Sequence, residues 1–161
     1  MIRDAVPADL PRILEITNDA ILNGTALWTI IPATLETRTA WMQERQSSGF
    51  PVLVAEHEGS VLGFGSYGPF RPHDGFLHTV EHSLYIDPGS QRLGLGKAML
   101  GALIERARAH GKHVMVGAIA TENLVSITLH ERFGFTQAAT LPQVGRKFDR
   151  WLDLTFMHRL L

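Results

Sequence analysis

Apolar residues recur along this chain with two periods, one helical and one alternating, and their succession predicts the order of its elements. Met1 to Ala5 reads as a short strand, and Pro7-Ala8-Asp9 opens a helix whose apolar positions Leu10, Ile13, Leu14, Ile16 and Ile21 fall at near-helical spacing. A second helix is expected from Leu35 to about Gln46. Pro51 to Glu56 reads as a strand, Glu58-Gly59 as a turn, and Val61 to Tyr67 as the antiparallel partner, which together make a hairpin. Gly68 to Gly75 holds two prolines and two glycines and reads as a loop. Thr79 to Ile86, rich in β-branched and aromatic residues, is a strand that Asp87-Pro88-Gly89 must end. Leu95 to His110 carries the strongest helical pattern, with Leu95, Ala98, Met99, Ala102, Leu103 and Arg106 on one face and Leu100, Ile104 and Ala107 beside them; Gly111 closes it. Val114 to Ala120 reads as a strand, Asn123 to Phe133 as a helix ended by Gly134, Phe135 onward as a strand, and Phe148 to Met157 as the last strand. Helices alternating with an antiparallel run and a later crossover predict a mixed α/β sheet, with neither an internal repeat nor a linker.

Composition narrows what such a sheet can do. The 161 residues suit one domain, 1–161, and 45% hydrophobic with 19% charged residues is a folding composition, not a disordered one. Fifteen basic against sixteen acidic residues, only three of the basic ones lysines, leave no broad cationic face for nucleic acid. The longest apolar run, Ala98 to Ile104, is too short to span a bilayer, and Arg3, Asp4 and Asp9 stand where a signal peptide needs its apolar core. The chain therefore reads as soluble, cytoplasmic and independent of membranes. It has no cysteine, so disulfides, thiolate metal sites and a cysteine nucleophile are excluded together.

The densest chemical signal is the segment from Tyr85 to Lys97, a strand passing through a glycine-bearing turn into a long helix. Gly94 and Gly96 let the backbone approach a ligand closely, and free N–H groups at a helix start bind anions. Arg92 and Lys97 stand at the positive end of the helix dipole, an unfavourable place for cations unless an anion joins them. The dinucleotide fingerprint fails, because its third glycine would fall at Met99, and the Walker pattern fails because Leu95 stands where lysine is needed.

Gln91-Arg92-Leu93-Gly94-Leu95-Gly96 resembles the pyrophosphate-cradling loop of the GNAT superfamily of acetyl-CoA-dependent N-acetyltransferases. Asn123 with Leu129-His130-Glu131-Arg132-Phe133-Gly134-Phe135 resembles a later GNAT helix, and Thr79 to Ile86 resembles the strand of the phosphinothricin, methionine sulfoximine and methionine sulfone acetyltransferase branch. The likeness runs from Ile2-Arg3-Asp4-Ala5 to Lys147-Phe148-Asp149-Arg150-Trp151-Leu152-Asp153. It implies a GNAT fold, acetyl-CoA as co-substrate with no metal, a small amino-acid-like substrate and a homodimer. It further implies that Gln91 to Lys97 hold the pyrophosphate, that Leu84, Tyr85 and Ile86 offer backbone groups to the pantetheine arm where strands splay, and that Asn123 and Ser126 line the same arm.

Amide formation from a thioester needs a neutral amine, polarisation of the carbonyl and a proton for the departing thiolate. Without cysteine, direct attack in a ternary complex is the simplest scheme. Alternation along Thr79 to Ile86 puts Val80, His82, Leu84 and Ile86 on one face and Thr79, Glu81, Ser83 and Tyr85 on the other. Glu81, a carboxylate in mid-strand, is the candidate general base, the alternative being an ion pair with a nearby histidine or arginine. Asn123, Ser126 and His130 share one helix face, beside an apolar stripe of Val125, Leu129 and Phe133. Asn123 also fits a simple helix cap, and His130 is a surface residue, the proton donor to the thiolate or a relay to water. Arg71, with Pro72 and His73, suits a substrate carboxylate; the resemblance adds Glu81, His82 and Ser83 to the substrate side, and Lys147 or Arg150 is available to a tetrahedral substituent. His78-Thr79-Val80-Glu81-His82 matches a zinc-peptidase pattern, but on a strand its histidines would stand about 13 Å apart, too far to share a metal. The other readings are a non-catalytic acyl-CoA sensor and the same chemistry on a protein N-terminus, a polyamine or an aminoglycoside.

Overall fold

The computed structural model describes residues 1–90 and 93–161, so the pyrophosphate contacts expected of Gln91 and Arg92 lie outside the described residues. The chain runs β1 (Ile2–Asp4), a 3-10 turn (Pro7–Asp9), α1 (Leu10–Asn23), α2 (Leu35–Ser47), β2 (Val52–His57), β3 (Ser60–Pro69), β4 (Thr79–Ile86), α3 (Leu95–Ala109), β5 (Val114–Ala120), α4 (Leu124–Arg132), β6 (Thr136–Lys147) and β7 (Arg150–Leu160). One seven-stranded sheet takes the order β1-β2-β3-β4-β5-β7-β6, with β4 and β5 parallel and the other neighbours antiparallel.

Period-two alternation divides the core between the two sides of this sheet. Leu53 and Ala55 of β2 join Met99, Leu100, Leu103 and Ile104 of α3 on one side, while Val52 and Val54 meet Ile13 and Ile16 of α1 and Met42 of α2 on the other. A strand buried on both faces reads as an unbroken apolar run, which is what Pro51 to Ala55 supplies. Truncating one of these fully buried leucines to alanine costs about 2–5 kcal/mol. At the edge, Arg3 bridges Asp9 and Glu56 at 2.8 and 2.6 Å and holds the entry to α1 against β2. Among the described residues no helix is long and apolar enough to cross a membrane.

The decisive feature is where the parallel pair ends. Pairing of β4 with β5 stops at His82 and Gly117, yet β4 continues to Ile86 on its β3 partner Gly63, and β5 continues to Ala120 on its β7 partner Leu154. Each strand stays loyal to its outer neighbour, so the sheet unzips into a wedge. Beyond His82 the β5-facing backbone groups of β4 have no strand partner, a costly state inside a protein unless water or a ligand supplies one.

Three local expectations are corrected. Phe148 belongs to a two-residue turn with Asp149, both at positive φ (53° and 56°), and not to the last strand; Phe-Asp lacks the asparagine-glycine signal that marks such turns. Pro7 to Asp9 forms a 3-10 turn, and the α-helix proper begins at Leu10. Val125 is 84% exposed and lies outside the apolar stripe expected of α4, where Ile127 and His130 are the buried residues.

Candidate active site

The wedge opens a slot of about 80 Å³ lined by Ser83, Leu84 and Tyr85 of β4, Gly117 to Ala120 of β5, and Asn123, Ser126 and His130 of α4 and its cap. Ala26, from the loop after α1, closes it. The structure thus collects Leu84, Tyr85, Asn123, Ser126 and His130, and it sets Glu81 one residue before the point where the strands part. Asn123 is the cap that its position allowed: its side-chain oxygen accepts from the Ser126 amide at 3.1 Å while the residue lines the slot.

His130 is buried, not a surface residue. Its Nδ1 lies 2.7 Å from the Ser126 carbonyl, which only accepts, so Nδ1 carries the proton and Nε2 is bare. His82 Nε2, 3.0 Å away, therefore donates to His130 Nε2, and the buried, unpartnered Nδ1 of His82 is the bare nitrogen of that ring. The rings stack at 5.0 Å and 16°, with Phe135 edge-on to both. Burial and the neighbouring imidazole push His82 down to about 3, and burial lowers His130 as well, so both are neutral at pH 7. Gly117 makes the room, since a Cβ there would sit 3.1 Å from His82 Nε2. The side chain of His82 accordingly points away from Glu81 and Ser83, with which the substrate-side expectation grouped it.

Glu81 occupies the opposite face of β4. It is half-buried, its carboxyl is pushed up by burial, and Arg71 and Arg45 pull it down by less. Among the described residues it takes part in no ion pair or hydrogen bond, so the pairing with a histidine or arginine that the sequence left open is not made. Gly68, directly across from Glu81 on β3, leaves a gap that the Arg45 guanidinium fills: a Cβ there would fall 1.3 Å from Nη1. Arg71, Pro72 and His73 are exposed on the loop between β3 and β4, Arg71 lying 5.3 Å over the Phe70 ring.

At the other end of β4, Arg12 of α1 holds Asp87 at 2.7 Å and Ser90 donates to Asp87 at 3.1 Å, which pins the strand exit. Gly94 caps α3 with φ +74°, the left-handed conformation that favours glycine. Leu93 is exposed, Leu95 buried and Lys97 exposed in the first turn of α3. A Cβ on Gly96 would make only ordinary contacts with Leu129 and Ile86, so packing within the protein does not by itself demand glycine there.

Lys147 and Arg150 are spoken for. The Lys147 ammonium, buried, donates to the carbonyls of Ala20, Gly24 and Leu27 at 3.2, 2.5 and 2.6 Å, and Arg150 forks onto Glu122 at 2.7 Å. Glu122 also accepts from Thr25 at 2.8 Å, and Trp28 packs where a side chain on Gly145 would be. These contacts hold the loop that brings Ala26 to the slot. With its ammonium taken up by three carbonyls, Lys147 is not available to a tetrahedral substituent as expected, and the helix residues Arg38 and Arg45 do not stand out in the sequence as parts of a site.

Comparison with known proteins places this architecture. The model of the acetyltransferase (GNAT) family matches residues 13–135. An L-methionine sulfoximine/L-methionine sulfone acetyltransferase of Pseudomonas paraeruginosa is 55% identical over 157 residues, 97% of this chain and 91% of that protein. A ribosomal-protein-alanine N-acetyltransferase of Brucella melitensis superposes with a TM-score of 0.98 at 48% identity, over 100% of this chain and 99% of that one. A phosphinothricin acetyltransferase of Sinorhizobium meliloti, crystallised with acetyl-CoA, superposes with a TM-score of 0.97 at 35% identity, over 100% and 88%. With an unzipped parallel pair, a left-handed glycine before the long helix and a family match across most of its length, the chain belongs to the GNAT acetyltransferases.

Proposed function

We propose that this enzyme transfers acetyl from acetyl-CoA to the α-amine of a small amino-acid-like compound, namely methionine sulfone, methionine sulfoximine or phosphinothricin, by direct attack in a ternary complex. The observation that carries the reading is Glu81, a half-buried carboxylate with no ion-pair partner among the described residues, set one residue before β4 and β5 part. An amine arriving at the wedge is mostly protonated at neutral pH, and a carboxylate with a raised pKa is suited to take that proton. Acetyl-CoA supplies an acyl carbon activated as a thioester. Leu84, Tyr85 and Ile86 offer it backbone groups, one of them to polarise the carbonyl; Asn123 and Ser126 flank the pantetheine arm, and Gln91 to Lys97, the first two outside the described residues, take the pyrophosphate. His130, neutral and lining the slot, is the proton donor to the departing thiolate or a relay that passes it a proton from water; the Ser126 hydroxyl lies 3.5 Å from its Nδ1. Arg71, Pro72, His73 and Ser83 border the amine. The reading calls on no metal, nucleic acid or membrane, and it takes the enzyme to be a cytoplasmic homodimer.

A second reading, acetylation of a protein N-terminus, is favoured by the likeness to a ribosomal-protein-alanine acetyltransferase. Arg45 and Arg71 near Glu81, with Arg38 beside Arg45, disfavour polyamines and aminoglycosides by repulsion. Thiol release from acetyl-CoA, measured with methionine sulfone, methionine sulfoximine, phosphinothricin, methionine and a peptide beginning with alanine, separates the readings. Turnover confined to the first three supports the proposal, turnover of the peptide alone supports the second, and binding of acetyl-CoA without turnover of any amine leaves the sensor.

A further inference from the structure

Helix α2 lies across the Glu81 side of the sheet and presents Arg38, Trp41 and Arg45, three and four residues apart and therefore in one stripe. Trp41 meets Phe64 edge-on at 6.0 Å, and Phe64 packs against Tyr85 at 5.2 Å, so the stripe continues into β4 beside Ser83 and Glu81. Arg38 rests with Cζ 4.5 Å over the Trp41 ring. Its Nε is shielded from solvent and has no acceptor. Arg3, Arg12, Arg106, Arg108 and Arg150 each meet a carboxylate at 2.6–2.9 Å, whereas among the described residues Arg38 and Arg45 meet none. Burial lowers the Arg38 pKa, Tyr85 opposes it by less, and the nearby Arg45 adds the smallest lowering.

A half-buried guanidinium without a counter-ion is unfavourable, and two beside one another more so. The arrangement persists at lower cost if an anion completes it, and the planar fork of arginine fits a carboxylate with two parallel hydrogen bonds. In an α-amino acid the carboxylate is two bonds from the amine, so an anion seat must adjoin the base that takes the amine's proton. Arg45, in the gap over Gly68 and opposite Glu81, meets that requirement, and Arg38 is its neighbour.

We infer that Arg38, with Arg45 beside it, is the seat of the substrate's α-carboxylate, and that this seat restricts the enzyme to amines bearing a carboxylate. The inference rests on the amino-acid acetyltransferase reading above. It moves the carboxylate from Arg71, exposed on its loop and stacked on Phe70, to the half-buried arginines of α2.

The test compares methionine sulfone with its α-carboxamide, which keeps the amine and the sulfone but removes the charge, in the full-length wild type, Arg38→Met and Arg38→Lys, each checked for folding by thermal melt. Loss of a charge-assisted fork raises KM for methionine sulfone roughly 10- to 100-fold in Arg38→Met with kcat little changed, and Arg38→Lys recovers part of it. The carboxamide, poor in the wild type, changes less than about twofold in either variant, because the lost interaction is one it never made. Equal losses on acid and amide would make Arg38 a packing residue and overturn the inference, as would an unchanged KM for the acid. Should Arg38→Met fail to fold, the acid-to-amide ratio in Arg38→Lys decides alone. Wild-type turnover of an alanine-headed peptide but of neither small amine would instead overturn the reading on which the inference rests.

Discussion

The two faces of β4 hold titratable groups under opposite regimes. On one, His82 and His130 are sealed between Phe135 and Gly117, hydrogen-bonded to each other and held neutral by burial. On the other, Glu81 keeps its carboxylate half-buried near Arg45 and Arg71, with Arg38 beside Arg45, without pairing to any of them. Successive residues of one strand, Glu81 and His82, thereby serve different ends: the first carries a charge left to be completed from outside, and the second joins His130 in a neutral pair on the wall of the slot, where the paired strands part. Unpaired charge marks the side on which the amine is proposed to bind, and a neutral, mutually hydrogen-bonded pair lines the side proposed for the acyl donor.

The strongest way to break this comparison is to remove the open charge. Glu81→Gln is expected to lower kcat/KM by roughly 100- to 10,000-fold while leaving the melting temperature unchanged or higher, because no ion pair is lost; steady-state thiol release and a melt read both. Turnover close to wild type would return Glu81 to a structural role. Next comes a buried cation that is satisfied internally. Lys147→Met strands the carbonyls of Ala20, Gly24 and Leu27, so the fold is expected to lose about 2–4 kcal/mol, measured by urea denaturation.

The sealed face predicts a pH dependence of stability. In the unfolded chain both histidines protonate below about pH 6.5, whereas folded His82 resists to about 3 and folded His130 is shifted the same way. The unfolded state then binds more protons, so stability falls as the pH drops from 6.5 towards 3, by at most about 1.4 kcal/mol per pH unit for each histidine. Melts across that window, repeated on His82→Phe, should show a shallower slope in the variant. The smallest effect concerns Arg45. A methyl at position 68 displaces the tip of its flexible side chain, so Gly68→Ala withdraws a cation from Glu81. Burial raises the Glu81 pKa, and the acidic limb of the pH–rate profile is expected to move further in the same direction in this variant.

Much of this architecture is legible in the residues because local physics encodes it. Leu95 to Ala109 forms a helix whose buried positions Met99, Leu103 and Ala107 repeat the helical period, and Thr79 to Ile86 forms a strand whose alternation parts Glu81 from His82. The helix cap at Asn123 follows from its side chain and its place before Leu124. The turn at Phe148-Asp149 does not follow in the same way, since its backbone is held at positive φ between two long paired strands and not by a residue that prefers it. Arg38 and Arg45 are equally silent, because an arginine on an exposed helix pattern looks solvated until its neighbours are known. Lys147 reads from the sequence as a cation free for substrate, because the three carbonyls that hold it lie more than a hundred residues away.

From its own order of residues the chain determines which segments are helix and which are strand, the faces that Glu81 and His82 take, the absence of thiol chemistry and the likeness of its glycine loop to the GNAT pattern. Each rests on neighbours within a few positions, the range over which backbone sterics, capping and periodicity act. Only the tertiary structure decided that β4 and β5 part after His82, that two imidazoles 48 residues apart become one neutral pair, and that arginines from a distant helix meet the base without neutralising it. Those outcomes depend on which strand pairs with which and on where burial strips water from charge, quantities that no local window of sequence contains.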